Sequence, residues 1–167
     1  IDLIVSNDGL NNVADLEESI SECTRVLKPG GQFIQTVNLN DTMIEFYSVM
    51  GKVLIDLKLD DAIKTMHEHI YKKRKPLDEY INMIERHGFS AKPVQHDNFE
   101  YTFVDGTTML NHYFIRLAFL DSWKEIVPKD KLEEIFSNIE NRLNEQSQIN
   151  GFIKLSVPFV VIDCIKL

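Results

Sequence analysis

The sequence has little of the residues that mark several protein classes. Only two of its 167 residues are cysteines, Cys23 and Cys164, which is too few for a disulfide framework. Both occur in apolar patterns, so we expect buried free thiols in a reducing, cytoplasmic location. Seven glycines and five prolines exclude a collagen-like or low-complexity chain. No apolar run approaches the roughly 18 residues of a membrane span, and we expect no membrane partner.

Positive charge is also scarce. Eighteen Lys and Arg residues against 26 Asp and Glu residues give a formal net charge of −8. Because binding to a nucleic-acid backbone needs positive surface, we expect no nucleic-acid partner. Residues 72–75, Lys-Lys-Arg-Lys, are the local exception. Such a run could dock an acidic carrier protein or a phosphate, although it is more often a solvated loop.

The apolar patterns predict an α/β fold. Residues 1–6 form a short run that is apolar on both faces, which is typical of a buried strand in a parallel sheet. A helix is predicted over residues 15–28, with Asp15 as its N-cap and an apolar stripe every three or four residues. Gly30 and Gly31 end this helix, and residues 32–39 form the next strand. Strand, helix and strand make a βαβ unit with parallel strands.

The rest of the chain predicts further helices and strands. Asp41 is expected to cap a helix, and Asp60 or Asp61 another. The remaining predictions are a helix from Pro76 to a Gly88 cap, a strand over 91–104, a capped apolar helix from Asp105 to about Leu120, a helix from Pro128, and a strand over 152–167 interrupted at Pro158.

Several of these segments resemble one enzyme family. Residues 1–7, 13–16 and 24–31, the last reading Thr-Arg-Val-Leu-Lys-Pro-Gly-Gly, look like class I S-adenosylmethionine-dependent methyltransferases of the type 11 kind. Residues 157–161 resemble the family's antiparallel last strand. The resemblance implies a Rossmann-like doubly wound sheet that here lacks the first strands. It also implies one domain, residues 1–167, with helical insertions at about 41–75 and 105–148.

The family's Gly-rich cofactor loop has no counterpart in these residues, because the paired glycines Gly30 and Gly31 end a helix rather than open one. We therefore expect a chain truncated before Ile1, the C-terminal half of the domain, which is inactive alone. A strand from Ile1 to Val5 without its neighbour would be an apolar sheet edge, and such an edge promotes self-association.

The resemblance implies that Ser6, Asn7, Asp8 and Gly9 line the S-adenosylmethionine cofactor, since ligands of open α/β sheets lie at the carboxyl ends of strands. The alternative is a plain turn held by side-chain hydrogen bonds. Many relatives have a His where this chain has Asn12, which argues against a His base here.

Tyr47, His112 and Tyr113 are the candidates for substrate contact, with core packing as the alternative. His67 and His69 point in different directions on a helix, so no metal site is expected. Because the cofactor's methyl group is already activated, no particular catalytic side chain is required, and none is identified.

Two functions remain open from the sequence. The first is a methyltransferase that acts on a small-molecule or carrier-linked acceptor. The second is a degenerate methyltransferase-like module that binds a partner without catalysis.

Overall fold

The computed structural model describes residues 1–10 and 13–167, without the side chain of Val94. Within these residues the chain forms four strands, eight α-helices and a 3-10 turn. They are, in chain order, β1 (Leu3–Asn7), α1 (Leu16–Val26), β2 (Gln32–Asn38), α2 (Ile44–Asp56), α3 (Asp60–Lys73), α4 (Leu77–Arg86), β3 (Phe89–Phe103), α5 (Gly106–Asn111), α6 (Tyr113–Ala118), α7 (Leu120–Lys124), the 3-10 turn (Lys129–Lys131), α8 (Leu132–Asn150) and β4 (Ile153–Lys166).

The strands form one mixed sheet in the order β1-β2-β4-β3. β1 pairs with β2 in parallel, with Leu3 opposite Gln32 and Asn7 opposite Thr36. β4 pairs with β2 in antiparallel, with Asn38 opposite Phe159. The predicted α/β fold, its parallel βαβ unit and its antiparallel last strand are therefore confirmed.

The described chain falls into two compact units. The first comprises Ile1–Thr42, Ile70–Phe99 and Val157–Leu167. Its core is built where α1 and α4 pack against the sheet; the buried residues are Ile20, Leu27, Phe33, Val37, Tyr80, Met83, Ile84, Phe89, Val160, Ile162 and Cys164. Asp15 caps α1 as predicted, because its Oδ1 accepts a hydrogen bond from the Glu18 N–H at 2.9 Å.

The second unit comprises Met43–His69 and Glu100–Ser156. Its core contains stacked aromatic rings, with the Phe46 and Trp123 centroids 3.7 Å apart. α5 approaches α8 closely at Gly106, where an added Cβ would lie 2.5 Å from the Leu143 Cβ. Most residues of the two predicted insertions fall in this unit, and the single-domain assignment stays a prediction.

Some predicted details are wrong. β1 is not buried on both faces, since Leu3 is 52% and Val5 66% exposed. It lies at the edge of the sheet among the described residues, as expected for this strand without a neighbour. Asp41 does not cap α2, which instead follows Met43 in a left-handed backbone conformation (φ 59°). α8 begins at Leu132, after a 3-10 turn, rather than at Pro128.

The predicted apolar helix over 105–120 is also wrong. Asp105 caps its start as expected, but the segment forms three short helices, α5, α6 and α7. The backbone leaves the helical region at His112, where ψ is 135°, and again at Phe119, where φ is −130°. Apolar residues on several sides of a segment do not show where the backbone bends.

β4 is not interrupted at Pro158. It runs continuously, but its alternation of buried residues changes there: Leu155 and Val157 are buried before Pro158, and Val160 and Ile162 after it. The set of buried positions therefore changes from odd-numbered to even-numbered residues between Val157 and Val160. Among the described residues, no helix is long and apolar enough to cross a membrane.

Candidate functional site

Polar side chains meet where β1 and β2 end. The two strands are parallel, so their carboxyl ends lie at the same edge of the sheet. The Thr36 hydroxyl donates a hydrogen bond to Asn7 Oδ1 at 2.5 Å. The same Thr36 Oγ1 accepts the Asp8 N–H at 3.0 Å, and the Thr36 carbonyl lies 3.2 Å from that nitrogen. The loop after β1 is therefore fixed to β2 at this edge.

Asp8 has an unusual backbone conformation and a carboxyl group with a raised pKa. Its φ is 52°, a left-handed conformation that Asp tolerates better than most residues. Burial raises the pKa of the Asp8 carboxyl, and the nearby positive charge of Arg74 partly opposes that rise. Gly9 is the next residue in this tight turn. A Cβ added at Gly9 would lie 2.9 Å from Ser6 Oγ. The structure thus brings Ser6, Asp8 and Gly9 together.

Arg74 connects the basic run at residues 72–75 with this edge, through its charge on Asp8. The next residue, Lys75, places its Nζ 4.7 Å from the centre of the Tyr71 ring. The Tyr71 hydroxyl donates to Glu79 Oε2 at 2.6 Å. The end of this run is therefore held by specific contacts rather than forming a wholly solvated loop.

Sequence reasoning missed Asn38. This residue ends β2, two positions after Thr36 and on the same face of the strand. Its side-chain Oδ1 is buried and has no hydrogen-bond partner among the described residues. An unsatisfied buried carbonyl costs about 1–3 kcal/mol, so its presence calls for an explanation. A polar residue at the carboxyl end of a strand was the signal that could have found it.

The three predicted substrate residues occupy different environments. Tyr47 is 4% exposed and belongs to the aromatic core of the second unit, where Trp123 Nε1 donates to its hydroxyl at 3.2 Å. His112 is exposed and its ring lies 5.3 Å from that of Phe103. Tyr113 is 77% exposed. The structure places Tyr47 in a core and the other two at the surface, and their role in substrate contact stays a prediction.

The other candidates gain no support from the structure. His67 is exposed, whereas His69 is half-buried, with its ring 6.2 Å from that of Tyr47. Within residues 1–10 and 13–167, no cluster of three His, Cys, Asp or Glu residues could hold a metal ion. Asn12 lies outside the described residues.

Comparison with known proteins finds a related family and a similar fold. The family model described as a methyltransferase domain matches residues 1–35, which span β1, α1 and the start of β2. A search of curated proteins gives no match. The crystal structure of YcgJ from Bacillus subtilis is similar at 16% identity and a TM-score of 0.53, covering 99% of this chain and 64% of that one.

Two further solved structures are similar at lower TM-scores. A candidate methyltransferase of Bacillus halodurans has 18% identity and a TM-score of 0.48, with 99% of this chain and 64% of that chain covered. Phosphoethanolamine N-methyltransferase 2 of Haemonchus contortus has 14% identity and a TM-score of 0.40, with 99% and 33% covered. The chain thus spans 64% of the length of the first two proteins.

The chain has the Rossmann-like fold of class I methyltransferases, and its first 35 residues match a methyltransferase domain. The predicted resemblance is therefore confirmed, both in the fold and in the family match over residues 1–35. The loop after β1 suits one side of S-adenosylmethionine, because it offers a half-buried carboxylate at Asp8 and a turn without a side chain at Gly9. A Gly-rich loop that opens a helix is not among the 167 residues.

Proposed function

We propose that this chain is part of an S-adenosylmethionine-dependent methyltransferase that acts on a small-molecule or carrier-linked acceptor. The observation that carries the proposal is the methyltransferase-domain match over residues 1–35. That match contains the loop from Ser6 to Gly9 at the carboxyl edge of the sheet, where open α/β folds bind their ligands.

The proposed role of this loop is to bind and orient. The cofactor, when bound, supplies a methyl group activated on a sulfonium, so the protein mainly contributes alignment and exclusion of water. Asn7 and Asp8 are fixed by their hydrogen bonds to Thr36, and the loop therefore loses little freedom when a ligand binds. In this proposal Asp8 and its neighbours contact the methionine end of the cofactor.

Binding of S-adenosylhomocysteine tests the proposal. The experiment uses protein made from the complete reading frame and isothermal titration calorimetry. We expect Asp8→Ala to weaken binding about tenfold or more, corresponding to the ~1.4 kcal/mol of one lost polar contact. Asp41→Ala, a change of the same kind at an exposed position, should stay within about twofold of wild type.

The outcomes separate the parts of the proposal. No binding by the wild-type protein at millimolar ligand would reject the enzyme and favour a binding module without catalysis. Tight binding that Asp8→Ala leaves unchanged would keep the enzyme but remove this loop from the cofactor site.

A further inference from the structure

Thr36 lies on a strand that is held from both sides. β2 is placed between β1 and β4 in the sheet, with Thr36 opposite Asn7 on one side and Val161 on the other. A strand with backbone hydrogen bonds to two neighbours opens less readily than a loop or an edge strand. Thr36 is therefore a well-restrained point next to the loop that follows β1.

The Thr36 hydroxyl makes two hydrogen bonds of opposite direction to that loop. A hydroxyl has one proton to donate and lone pairs that accept. The proton goes to Asn7 Oδ1 at 2.5 Å, and a lone pair takes the Asp8 N–H at 3.0 Å. One hydroxyl thus holds the side chain of the last residue of β1 and the backbone of the first residue of the loop.

The backbone conformation of Asp8 depends on support from its surroundings. Its φ of 52° lies in the left-handed region that residues other than glycine seldom adopt. Such conformations persist where the surrounding structure determines them, and they are frequent at ligand-binding sites. The Thr36 carbonyl also accepts the Asp8 N–H, at 3.2 Å. Thr36 therefore fixes the point from which the left-handed turn begins.

We propose that Thr36 is a positioning residue for the cofactor: its hydroxyl holds Asn7 and Asp8 in the conformation that binds S-adenosylmethionine, without contacting the cofactor itself. This inference rests on the proposed function, which assigns the loop from Ser6 to Gly9 to the cofactor. Without the hydroxyl, the loop adopts other conformations as well. The apparent affinity then falls in proportion to the fraction of molecules whose loop is in the binding conformation.

The test compares Thr36→Val with Thr36→Ser and with Thr24→Val, in protein from the complete reading frame. Valine keeps the branched shape of threonine but can neither donate nor accept a hydrogen bond, whereas serine keeps the hydroxyl. Thr24 is the matched control because it is also half-buried. It lies in the last turn of α1 and donates to the His87 carbonyl at 2.9 Å, not to the loop.

The affinity for S-adenosylhomocysteine and the melting temperature are measured for each variant. We expect Thr36→Val to lower the affinity about tenfold, as when a tenth of the molecules hold the binding conformation. Thr36→Ser should recover most of that loss, and Thr24→Val should bind like wild type. Thr36→Val and Thr24→Val should lose similar amounts of melting temperature, because each loses one half-buried hydroxyl.

A double variant separates positioning from direct contact. Thr36→Val should cost less affinity in Asp8→Ala than in wild type, because both changes act on the same contact with the ligand. Equal costs in the two backgrounds would indicate that Thr36 contacts the ligand independently, and they would overturn the positioning role.

Four further results would overturn the inference. They are wild-type affinity in Thr36→Val, failure of Thr36→Ser to recover the affinity, an equal loss of affinity in Thr24→Val, and a Thr36→Val protein that is unfolded at the assay temperature while Thr24→Val is folded. The proposed function survives each of these results as long as the wild-type protein binds S-adenosylhomocysteine. A wild-type protein that does not bind it rejects the proposed function, and the inference with it.

Discussion

Asp8 combines a left-handed backbone with a carboxyl group that burial makes harder to ionise. Asparagine is the residue closest to it in shape, and it tolerates a positive φ equally well. Replacing Asp8 by asparagine therefore removes the charge while it preserves the turn.

We predict that Asp8→Asn raises the melting temperature at pH 7. The folded pKa of Asp8 lies above its ordinary value of 3.8, so the folded state loses stability as the pH rises through that folded pKa. The advantage of the variant should shrink as the pH falls through that folded pKa towards 3.8, and it should disappear at lower pH, where the wild-type carboxyl is protonated in both states. Thermal melts from pH 3 to pH 7 measure it, with Asp41→Asn as the control.

A difference between Asp8→Asn and wild type that is the same at every pH would contradict this explanation. Such a result would assign the gain to the backbone preference of asparagine alone.

The loop that carries the candidate site was predictable, because a local sequence pattern indicates it. The cluster Ser6-Asn7-Asp8-Gly9 follows a strand and is rich in turn residues, which points to a loop at the carboxyl edge. Asn38 was missed because its importance depends on which neighbouring groups are already hydrogen-bonded. That information exists only in three dimensions.

The helices were predictable where capping residues in the sequence mark their ends. Asp15 begins α1 and Gly88, with a φ of 84°, ends α4, and both sit where the sequence placed them. α5, α6 and α7 share one apolar stretch without a proline or glycine to mark the breaks at His112 and Phe119. Packing decides such breaks, so sequence periodicity could not locate them.

The contact between α5 and α8 gives a prediction at this scale. Gly106→Ala places a Cβ 2.5 Å from the Leu143 Cβ and 3.1 Å from the Glu140 carbonyl oxygen. We expect a loss of about 1–3 kcal/mol in the free energy of unfolding, as for other overpacked sites. Urea denaturation measures the change.

Gly51→Ala is the matched control, since Gly51 lies inside α2 and its added Cβ would meet only the Met66 Cε, at 3.4 Å. This variant should be neutral or gain up to about 1 kcal/mol from helix propensity. Equal effects of the two alanines would show that α5 can shift away from α8 at little cost.

In the first unit as a whole, a buried polar chain crosses the core. The Tyr80 hydroxyl donates to Gln35 Oε1 at 2.6 Å, and Gln35 Nε2 donates to Cys164 Sγ at 3.6 Å. Burial raises the pKa of the Cys164 thiol to about 11. Both cysteines are free, as predicted. Cys164 is buried as expected, but Cys23 is only partly buried.

This arrangement predicts how the thiols react. In Cys23→Ala, the remaining Cys164 should react with a thiol reagent only after large-scale unfolding, because it is buried and un-ionised at neutral pH. In Cys164→Ala, the partly exposed Cys23 should react with the same reagent faster than Cys164 does in Cys23→Ala. The labelling rate of Cys164 should rise with urea along the global unfolding curve, and rapid labelling that urea does not change would contradict a closed core.

The parity change in β4 has an evolutionary consequence. Buried positions are odd-numbered before Pro158 and even-numbered after Phe159, so each half of the strand has its own inward set. Loss or gain of a single codon within either half would turn part of that set outward. A one-codon insertion or deletion within this strand should therefore be tolerated far less well than the same change in an exposed loop.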